Sequence, residues 1–429
     1  MALVLLAGCA GTTTQGMPQA PSLPKLPQQI LLSSSMRAQP LPGWTVTVAD
    51  LELPTGTVVR PVGNIGDRGI FLGITDEGWF LLGIDVTSGQ RVFGPVRLGA
   101  AGDATDFNCF INGPPMVICA RQASDPAAPS TAWVVDTSTG TLTYDGPTEA
   151  VVAGTGGRPR LEQIGDFAVA VATGAGVHGV GARGELTWFV PGDGILPTQF
   201  SEPDRDTPES TLVTQGSGGV ADTVFSVVDG RVVEPDLPPD AQLGRAVVYP
   251  GGFGYEYHPV DDVSKAQVAF FDEDGVKLSE FPGDTLEVGS LDLPMISSKR
   301  SRIVVTLDGR QLLSLPPSLP AAGARLIGAR FLVAIDAERI EWQQFDVDTG
   351  DAEKTCVGDS LKYYYLASDG EIAVVTGAGS PARGMDLTTC QVLWSIPGSA
   401  PNEAKEVWKV NTTLVQRTDD RLFSLVAPS

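Results

Sequence analysis

Five cysteines are the residues of this sequence with the most definite chemistry. Cys109 and Cys119 enclose a Gly-Pro-Pro run, a combination typical of a hairpin loop. A hairpin closed there places the two cysteines opposite each other, with Cβ atoms roughly 4.5–5.5 Å apart, about the reach of a disulfide. We therefore predict a Cys109–Cys119 disulfide and, by elimination, a Cys356–Cys390 disulfide. Four reduced thiols are the alternative. A metal site is not favoured, because no CxxC motif or nearby histidine accompanies them.

Residue types that usually carry out catalysis are sparse. His178 and His258 are the two histidines, and neither lies in an HExxH, GxSxG or P-loop motif. Residues 346–353 alternate oxygen-bearing side chains like a calcium loop, but the twelve-residue pattern is incomplete, and we interpret them as a solvated turn. Glycoside hydrolysis needs only two carboxylates, yet no spacing singles out a pair among 51 acidic residues. We predict no metal site.

Tyr363, Tyr364 and Tyr365 form the densest aromatic cluster. Alternation along a strand places Tyr363 and Tyr365 on one face, where they could line a groove for a sugar or a lipid. Packing within the strand is the interpretation that we favour, and ligand binding is the alternative.

The first nine residues end in Leu6-Ala7-Gly8-Cys9. This ending resembles a bacterial lipobox, which implies cleavage before Cys9 and attachment of lipid to the new N-terminal cysteine. We interpret residues 1–8 as a truncated remnant of a lipoprotein signal, because they lack Lys and Arg and are fewer than a signal peptide requires. An incidental Leu-rich terminus is the alternative.

Residues 9–43 are rich in proline, show no hydrophobic period and contain two charged side chains, Lys25 and Arg37. We predict a semi-extended tether between a lipid anchor and a folded body. The four cysteines beyond Cys9 fit disulfides formed outside the cytoplasm. No other apolar run approaches 20 residues, so we expect the lipid to be the only attachment to a membrane.

Composition limits the classes of partner. The chain has 429 residues and a net charge of −22, from 29 basic and 51 acidic side chains. Such a charge disfavours nucleic acid, which requires clustered Lys and Arg. A hydrophobic content of 42% indicates a folded chain, and 50 glycines with 33 prolines indicate many turns and few long helices.

One sequence pattern recurs from about residue 60 onward. In the most regular copies, a β-rich run reaches an Asp, continues through Thr or Ser, and turns at positions 89, 140, 350 and 390. Looser copies turn at positions 184, 230, 275 and 309. In this pattern we expect the Asp to bond back to the backbone of its turn and the Gly to adopt positive φ. Successive turns are 34 to 51 residues apart. Repeats of this length with several short strands per unit predict a β-propeller.

We predict an all-β chain that forms a single β-propeller over residues 44–429. Its blades are expected to be four-stranded and antiparallel, with eight favoured and seven as the alternative. The C-terminal strands add a partial unit, so we interpret one of the eight turns as an additional hairpin. A strand near Thr45 is expected to pair with the last blade and close the ring, which removes exposed sheet edges.

The Asp-x-x-Thr-Gly-x-x-x-aromatic units resemble those of quinoprotein-like (PQQ-type) β-propellers. Together with Cys9, they make the chain similar to propeller lipoproteins of bacterial envelopes. Abundant Arg, Ala, Gly, Pro and Val suggest a GC-rich genome, which fits an actinobacterium. Quinone enzymes of this fold carry an adjacent Cys-Cys pair near the quinone; this sequence has none, so we expect no cofactor.

The resemblance implies a non-enzymatic scaffold lipoprotein on the outer face of the cell membrane. Its expected role is envelope assembly or trafficking of glycolipids, with mycolate glycolipids as one possibility, and its expected partners are envelope proteins or a glycolipid. The alternative is a secreted propeller hydrolase or lyase that uses a carboxylate pair on a carbohydrate or glycolipid.

Overall fold

The computed structural model describes residues 26–428 apart from 101–105, 126–127, 155–156, 197–205, 218–220, 284, 321–322, 359–360, 362–363, 378 and 399–404. Regular structure in this part of the chain is almost entirely β, with one short 3-10 helix at Val263–Lys265. No helix among these residues has the length and hydrophobicity to cross a bilayer. Cys9 and Tyr363 lie outside the described residues.

Within the described residues, the strands form eight four-stranded antiparallel sheets and one two-stranded sheet. We number the former blades 1 to 8 in chain order and call the latter the short sheet. Blades 1 to 3 comprise β2 Val58–Ile65, β3 Arg68–Thr75, β4 Gly78–Asp85, β5 Arg91–Ala100; β6 Phe107–Ile111, β7 Met116–Arg121, β8 Ser130–Asp136, β9 Thr141–Thr148; and β10 Arg160–Ile164, β11 Phe167–Ala172, β12 Gly176–Val180, β13 Leu186–Pro191.

The short sheet comprises β14 Leu212–Gly216 and β15 Asp222–Ser226. Blades 4 to 6 comprise β16 Ala241–Tyr249, β17 Gly252–Pro259, β18 Gln267–Phe271, β19 Lys277–Pro282; β20 Thr285–Leu286, β21 Met295–Ser297, β22 Arg302–Val305, β23 Gln311–Leu315; and β24 Ala324–Ile327, β25 Arg330–Ala334, β26 Glu341–Asp346, β27 Ala352–Val357. Blades 7 and 8 comprise β28 Tyr365–Ser368, β29 Ile372–Gly377, β30 Ser380–Asp386, β31 Val392–Ser395; and β32 Lys405–Val410, β33 Thr413–Thr418, β34 Arg421–Val426 with β1 Leu41–Thr47.

The first strand of each complete blade lies nearest the axis of the ring. Strand β2 contacts β6 and β32, the first strands of the two blades beside it, and β16 likewise contacts β20 of the next blade. Hydrophobic side chains fill the space between neighbouring sheets. Trp79 of blade 1, for example, stacks on Phe107 of blade 2 with ring centroids 4.2 Å apart.

Corners at the predicted turn positions join the third and fourth strands of blades 1 to 7, and all of them except the corner at Gly184 contain an Asp. In blade 1, Asp85 Oδ1 accepts hydrogen bonds from the amides of Thr87 at 3.0 Å and Ser88 at 2.9 Å. Gly89 completes the corner with φ of 73°. The side chain thus replaces a backbone partner inside the turn, which explains why Asp recurs at this place.

Every predicted turn position adopts positive φ. The seven glycines range from 68° to 87°, and Cys390, which replaces glycine in blade 7, has φ of 60°. Blade 8 has no such corner, because its fourth strand comes from the other end of the chain. Strand β1 pairs antiparallel with β34, with Leu41 opposite Val426. The predicted closure of the ring by the two ends of the chain is therefore confirmed.

The expected eight four-stranded blades are confirmed, and the short sheet is the additional hairpin. It packs between blades 3 and 4, with Phe225 in one interface and Val224 in the other. Its corner at Gly230 follows β15, just as Gly89 follows the third strand of blade 1. Strands β14 and β15 therefore correspond to the second and third strands of a blade, and Val232 bridges Phe225 in place of a fourth. The described residues of the short sheet include no innermost strand.

The propeller begins earlier than residue 44, the boundary that the sequence suggested. Strand β1 starts at Leu41, and residues 26–40, predicted as the end of the tether, lie against blades 6 to 8. Met36 is 1% exposed, and its carbonyl accepts a hydrogen bond from Trp394 Nε1 at 2.6 Å. The side chain of Gln29 bonds the backbone of Gly328. Leucine and methionine spaced among the prolines give this segment apolar anchors.

Candidate binding site

A cavity with a volume of about 430 Å³ lies beside the short sheet. Ile164 ends the innermost strand of blade 3, and residues 245–249 belong to the innermost strand of blade 4; both line the cavity. Leu212, Val213 and Thr214 of β14 form the wall between them. The cavity therefore lies between β14 and the innermost strands of blades 3 and 4, and it extends to Val288 and Leu291 of blade 5 and to Ala324 of blade 6. Its volume falls within the range of ligand pockets.

Alternate residues of β14 direct their backbone groups toward this cavity. Val227 N–H bonds Thr211 C=O at 2.8 Å, and Ser217 N–H bonds Ala221 C=O at 3.2 Å. Hydrogen-bonded pairs alternate with non-bonded pairs along two antiparallel strands. Counting inward from these two pairs, the residues of β14 that hydrogen-bond to β15 are Val213 and Gln215. The peptide groups of the residues between them consequently face the opposite edge, which is the cavity side.

The ends of this edge are already paired. Leu212 N–H bonds Ser210 Oγ at 3.0 Å. Gly216 C=O accepts a hydrogen bond from Asp193 N–H at 2.7 Å. Between these ends, the N–H and C=O of Thr214 have no partner among the described residues. Thr214 is 4% exposed, so these unpaired backbone groups are buried against a cavity. Such groups are rare in native structures, because leaving them unpaired costs free energy.

Charged and polar side chains mark the boundary of the cavity. Asp222 accepts a hydrogen bond from Ala246 N–H at 2.9 Å, which joins the short sheet to blade 4. Burial raises the pKa of Asp222. Glu209 likewise accepts a hydrogen bond from Gly165 N–H, in a turn of blade 3. Both carboxylates therefore hold neighbouring blades together. Exposed Arg245 lies at the mouth of the cavity.

Tyr249 is the most deeply buried polar residue that lines the cavity. It is 1% exposed, and its hydroxyl has no hydrogen-bond partner among the described residues. Burial raises its pKa, so the hydroxyl remains protonated inside the wall. A cavity with apolar residues in its wall beside the unpaired backbone groups of Thr214 suits a ligand that can hydrogen-bond.

Residues 206–210 form an axial plug that bounds the cavity on one side. The side chain of Asp206 is 1% exposed. Its carboxylate accepts hydrogen bonds from Lys409 Nζ, at 2.7 Å, and from the hydroxyl of Tyr365. Ile30 N–H bonds Asp206 C=O at 2.6 Å, which joins the plug to the N-terminal segment. Burial raises the pKa of Asp206, and Lys409 opposes that shift. Together these bonds fix the plug across the axis.

The structure places Tyr365 against the axial plug. Tyr365 begins β28, is 3% exposed, and lies with its ring centroid 4.4 Å from the guanidinium carbon of Arg325. Its hydroxyl binds the plug, and Tyr365 is not among the residues that line the cavity. The neighbouring Thr207 hydroxyl donates to Asp292, which also accepts from Leu326 N–H at 2.8 Å.

Both predicted disulfides are present. Cys109 and Cys119 lie opposite each other on β6 and β7, with Cα atoms 3.9 Å apart. Cys356 on β27 is bonded to Cys390, with Cα atoms 5.4 Å apart. The second disulfide covalently joins blade 6 to the corner of blade 7. The prediction by elimination therefore identified an inter-blade link.

The two histidines and the calcium-like stretch that the sequence singled out make packing contacts or local hydrogen bonds. His178 lies 4.4 Å from the ring of Phe189, and burial lowers its pKa. His258 Nδ1 lies 2.8 Å from the carbonyl of Pro259. Asp346, in the calcium-like stretch, accepts hydrogen bonds from the backbone N–H groups of Asp348 and Thr349 in its own corner. No group of three or more potential metal ligands occurs in the described part of the chain.

A family of known domains matches nearly the whole chain. The family model described as "Conjugation-associated 9-bladed beta-propeller domain" matches residues 17–428. The chain belongs to this family. The described residues form eight four-stranded blades, and the short sheet provides the further repeat that a count of nine requires.

One relative is an uncharacterized protein of Mycolicibacterium smegmatis (strain MKD8). It is 36% identical over 438 residues, which cover 94% of this chain and 88% of the relative. Two solved structures are more distant. BamB from Moraxella catarrhalis has a TM-score of 0.40 at 9% identity, over 90% of this chain and 97% of that chain. The computationally designed Ika8 protein has a TM-score of 0.36 at 13% identity, over 72% and 93%.

Sequence reasoning did not find the cavity. Its walls come from ordinary apolar strand residues, which carry no chemical signal. The one available sign was the spacing of turns: the 34-to-51-residue repeat continues through Gly230, but the residues before it contain a Pro-rich, acidic stretch instead of a clear first strand.

Proposed function

We propose that this chain is a lipid-anchored, extracytoplasmic propeller that binds other envelope components and acts as a non-enzymatic scaffold. The binding role is supported by the cavity beside the short sheet, where the unpaired backbone groups of Thr214 on β14 border a space of about 430 Å³. Binding there would satisfy groups that the described residues leave unpaired.

The location outside the cytoplasm is supported by two features. The disulfides Cys109–Cys119 and Cys356–Cys390 are typical of oxidising compartments. The lipobox-like sequence that ends at Cys9 supports attachment to the outer face of the cell membrane. The resemblance of the repeats to quinoprotein-like propeller lipoproteins agrees with this location. A relative in Mycolicibacterium smegmatis supports an actinobacterial origin.

The family suggests a setting for the scaffold. Its description associates these propellers with conjugation, so we propose that the envelope assembly served by this chain is one used in DNA transfer between cells. The net charge of −22 makes direct contact with the transferred DNA unfavourable, and a protein partner fits better.

Lipid anchoring is tested by expressing the chain from an upstream start codon in a mycobacterial host fed an alkyne-labelled palmitate. The proposal predicts a labelled protein in the membrane fraction, and Cys9→Ser should be unlabelled and released from that fraction. Equal labelling of both proteins, or none in the wild type, would contradict the anchor.

The conjugation role is tested by deleting the gene in a donor strain and counting transconjugants. We expect transfer to fall, wild-type protein to restore it, and Cys9→Ser to restore it only in part because the scaffold is no longer held at the membrane. Unchanged transfer in the deletion strain would refute this setting.

A further inference from the structure

We propose that the cavity beside the short sheet receives an extended peptide segment of a partner protein, which adds to β14 as the innermost strand that the described residues of the short sheet do not include. This inference rests on the proposed binding role and specifies how binding occurs. The occupant is a short, uncharged stretch of backbone with small side chains.

The open edge has the pattern that another strand recognises. Thr214 presents both an N–H and a C=O toward the cavity, and Leu212 C=O and Gly216 N–H flank it on the same edge. Donors and acceptors spaced along a strand match a second backbone, whereas a fatty acyl chain satisfies none of them. Strand addition to an exposed edge is a known means of peptide binding, in which main-chain bonds supply affinity.

The cavity borders β14 on the side where a complete blade has its innermost strand. On its two sides lie the innermost strands of blades 3 and 4, represented by Ile164 and Val247. Leu212 N–H and Gly216 C=O are already paired with Ser210 and Asp193, so the free edge spans about three residues of the partner. The complete blades have a strand at this place, and a peptide would complete the same architecture here.

The walls indicate which side chains fit. Val213, Val247 and Leu291 are apolar, and Tyr249 is buried in the same wall. A charged side chain would lose its hydration inside this space without a partner, which is costly. Small apolar or hydroxyl side chains are therefore expected, with any charges of the partner at the mouth, where exposed Arg245 lies.

The probe is a library of acetylated, amidated pentapeptides composed of Ala, Val, Thr and Ser. The library is incubated with the full chain, and bound peptides are identified by affinity selection and mass spectrometry. A recovered peptide is then resynthesised with one N-methyl group at each position in turn. We expect N-methylation to weaken binding at least about tenfold at alternate positions, since each removes one main-chain donor, and to have little effect between them.

Three outcomes would overturn the inference. The library could yield no binder, or N-methylation could weaken binding equally at every position. Palmitate could also bind the cavity with no dependence on the edge of β14, which would identify an apolar ligand site. None of these results bears on lipid anchoring or on conjugation, so failure of this inference can be distinguished from failure of the proposed function.

A variant of the protein provides an independent arm. Thr214→Pro removes the N–H that faces the cavity and keeps the ladder to β15, because Thr214 does not bond β15. Binding of the selected peptide should fall at least about tenfold. Ser217→Ala, at the exposed end of the same hairpin, is the control and should bind normally. The N-methyl series on wild-type protein decides the matter if Thr214→Pro does not fold.

Discussion

At the residue scale, Cys390 combines two roles that conflict. It forms the disulfide with Cys356, and it occupies the positive-φ position that glycine holds in the other corners. A side chain at φ of 60° carries a conformational penalty that glycine avoids. The covalent link between blades 6 and 7 offsets that penalty in the native protein.

This conflict makes a testable prediction in protein that lacks the disulfide. In a Cys356→Ser background, Cys390→Gly should raise the free energy of unfolding by about 1 kcal/mol, because the corner no longer holds a Cβ at positive φ. Denaturant unfolding measures the difference. Cys390→Ser in the same background is the matched control and should show no gain; equal stability of the Gly and Ser variants would contradict the interpretation.

The corner aspartates predict a pH dependence. Hydrogen bonds from Thr87 and Ser88 hold the pKa of Asp85 below its usual 3.8, and Ser138 acts in the same way on Asp136. A carboxylate with a lowered folded pKa stabilises the fold above pH 3.8, and this contribution is lost as the pH falls through the folded pKa. Asp85→Asn with Asp136→Asn should therefore be less stable than wild type near neutral pH.

The difference between the two proteins should narrow as the pH falls below about 4, where the wild type loses the same charges. Urea unfolding at a series of pH values measures it. Asp76→Asn, outside the corner pattern, serves as the control. A stability difference that stays constant across the series would show that the carboxylate charge is not what the corner uses.

At the scale of elements, the axial plug depends on one buried ion pair. The side chains of Asp206 and Lys409 are 1% and 17% exposed, so neither charge is well hydrated. Lys409→Met should cost about 3–5 kcal/mol of unfolding free energy, because it leaves the Asp206 carboxylate buried without its cation. Thermal or urea unfolding measures the loss.

The double variant Asp206→Asn with Lys409→Met removes both charges and is the matched control. It should recover much of the stability lost in Lys409→Met, since no charge remains buried. A double variant that is no more stable than Lys409→Met would mean that the packing of the lysine, not the pair, holds the plug.

The N-terminal segment makes a separate prediction. Met36 is buried among residues of blades 7 and 8, so Met36→Ala should lower the free energy of unfolding by about 2–5 kcal/mol through the cavity it creates. Exposed Ser35→Ala, the neighbouring control, should stay within about 0.5 kcal/mol of wild type. Equal, small effects would indicate that residues 26–40 are a loose tether and not part of the fold.

Local elements were predictable from sequence, and axial ones were not. The corner at Gly89 and the hairpin between Cys109 and Cys119 depend on residues within about a dozen positions of one another. The plug depends on Asp206 meeting Lys409, 203 residues away, and Tyr365, 159 residues away. No repeat or motif encodes such pairs, and they become visible only once the ring has closed.

At the scale of the whole molecule, the ring combines eight four-stranded blades with one short sheet whose described residues include two strands. Strand β1 closes the ring through β34, so the complete blades leave no open edge at the seam of the chain. The short sheet is the exception, because the unpaired edge of β14 faces the cavity inside the ring and not the outer surface. An inward edge avoids aggregation and still allows a specific partner strand to bind.

The central claim is that the inner edge of β14 is open in the free protein. Amide hydrogen exchange resolved at single residues tests it most directly. The account predicts strong protection at Val213 and Gln215, which bond β15, and exchange at least about tenfold faster at Thr214, whose amide faces the cavity. Protection of Thr214 equal to that of Val213 would show that the edge is already occupied, and it would contradict the account.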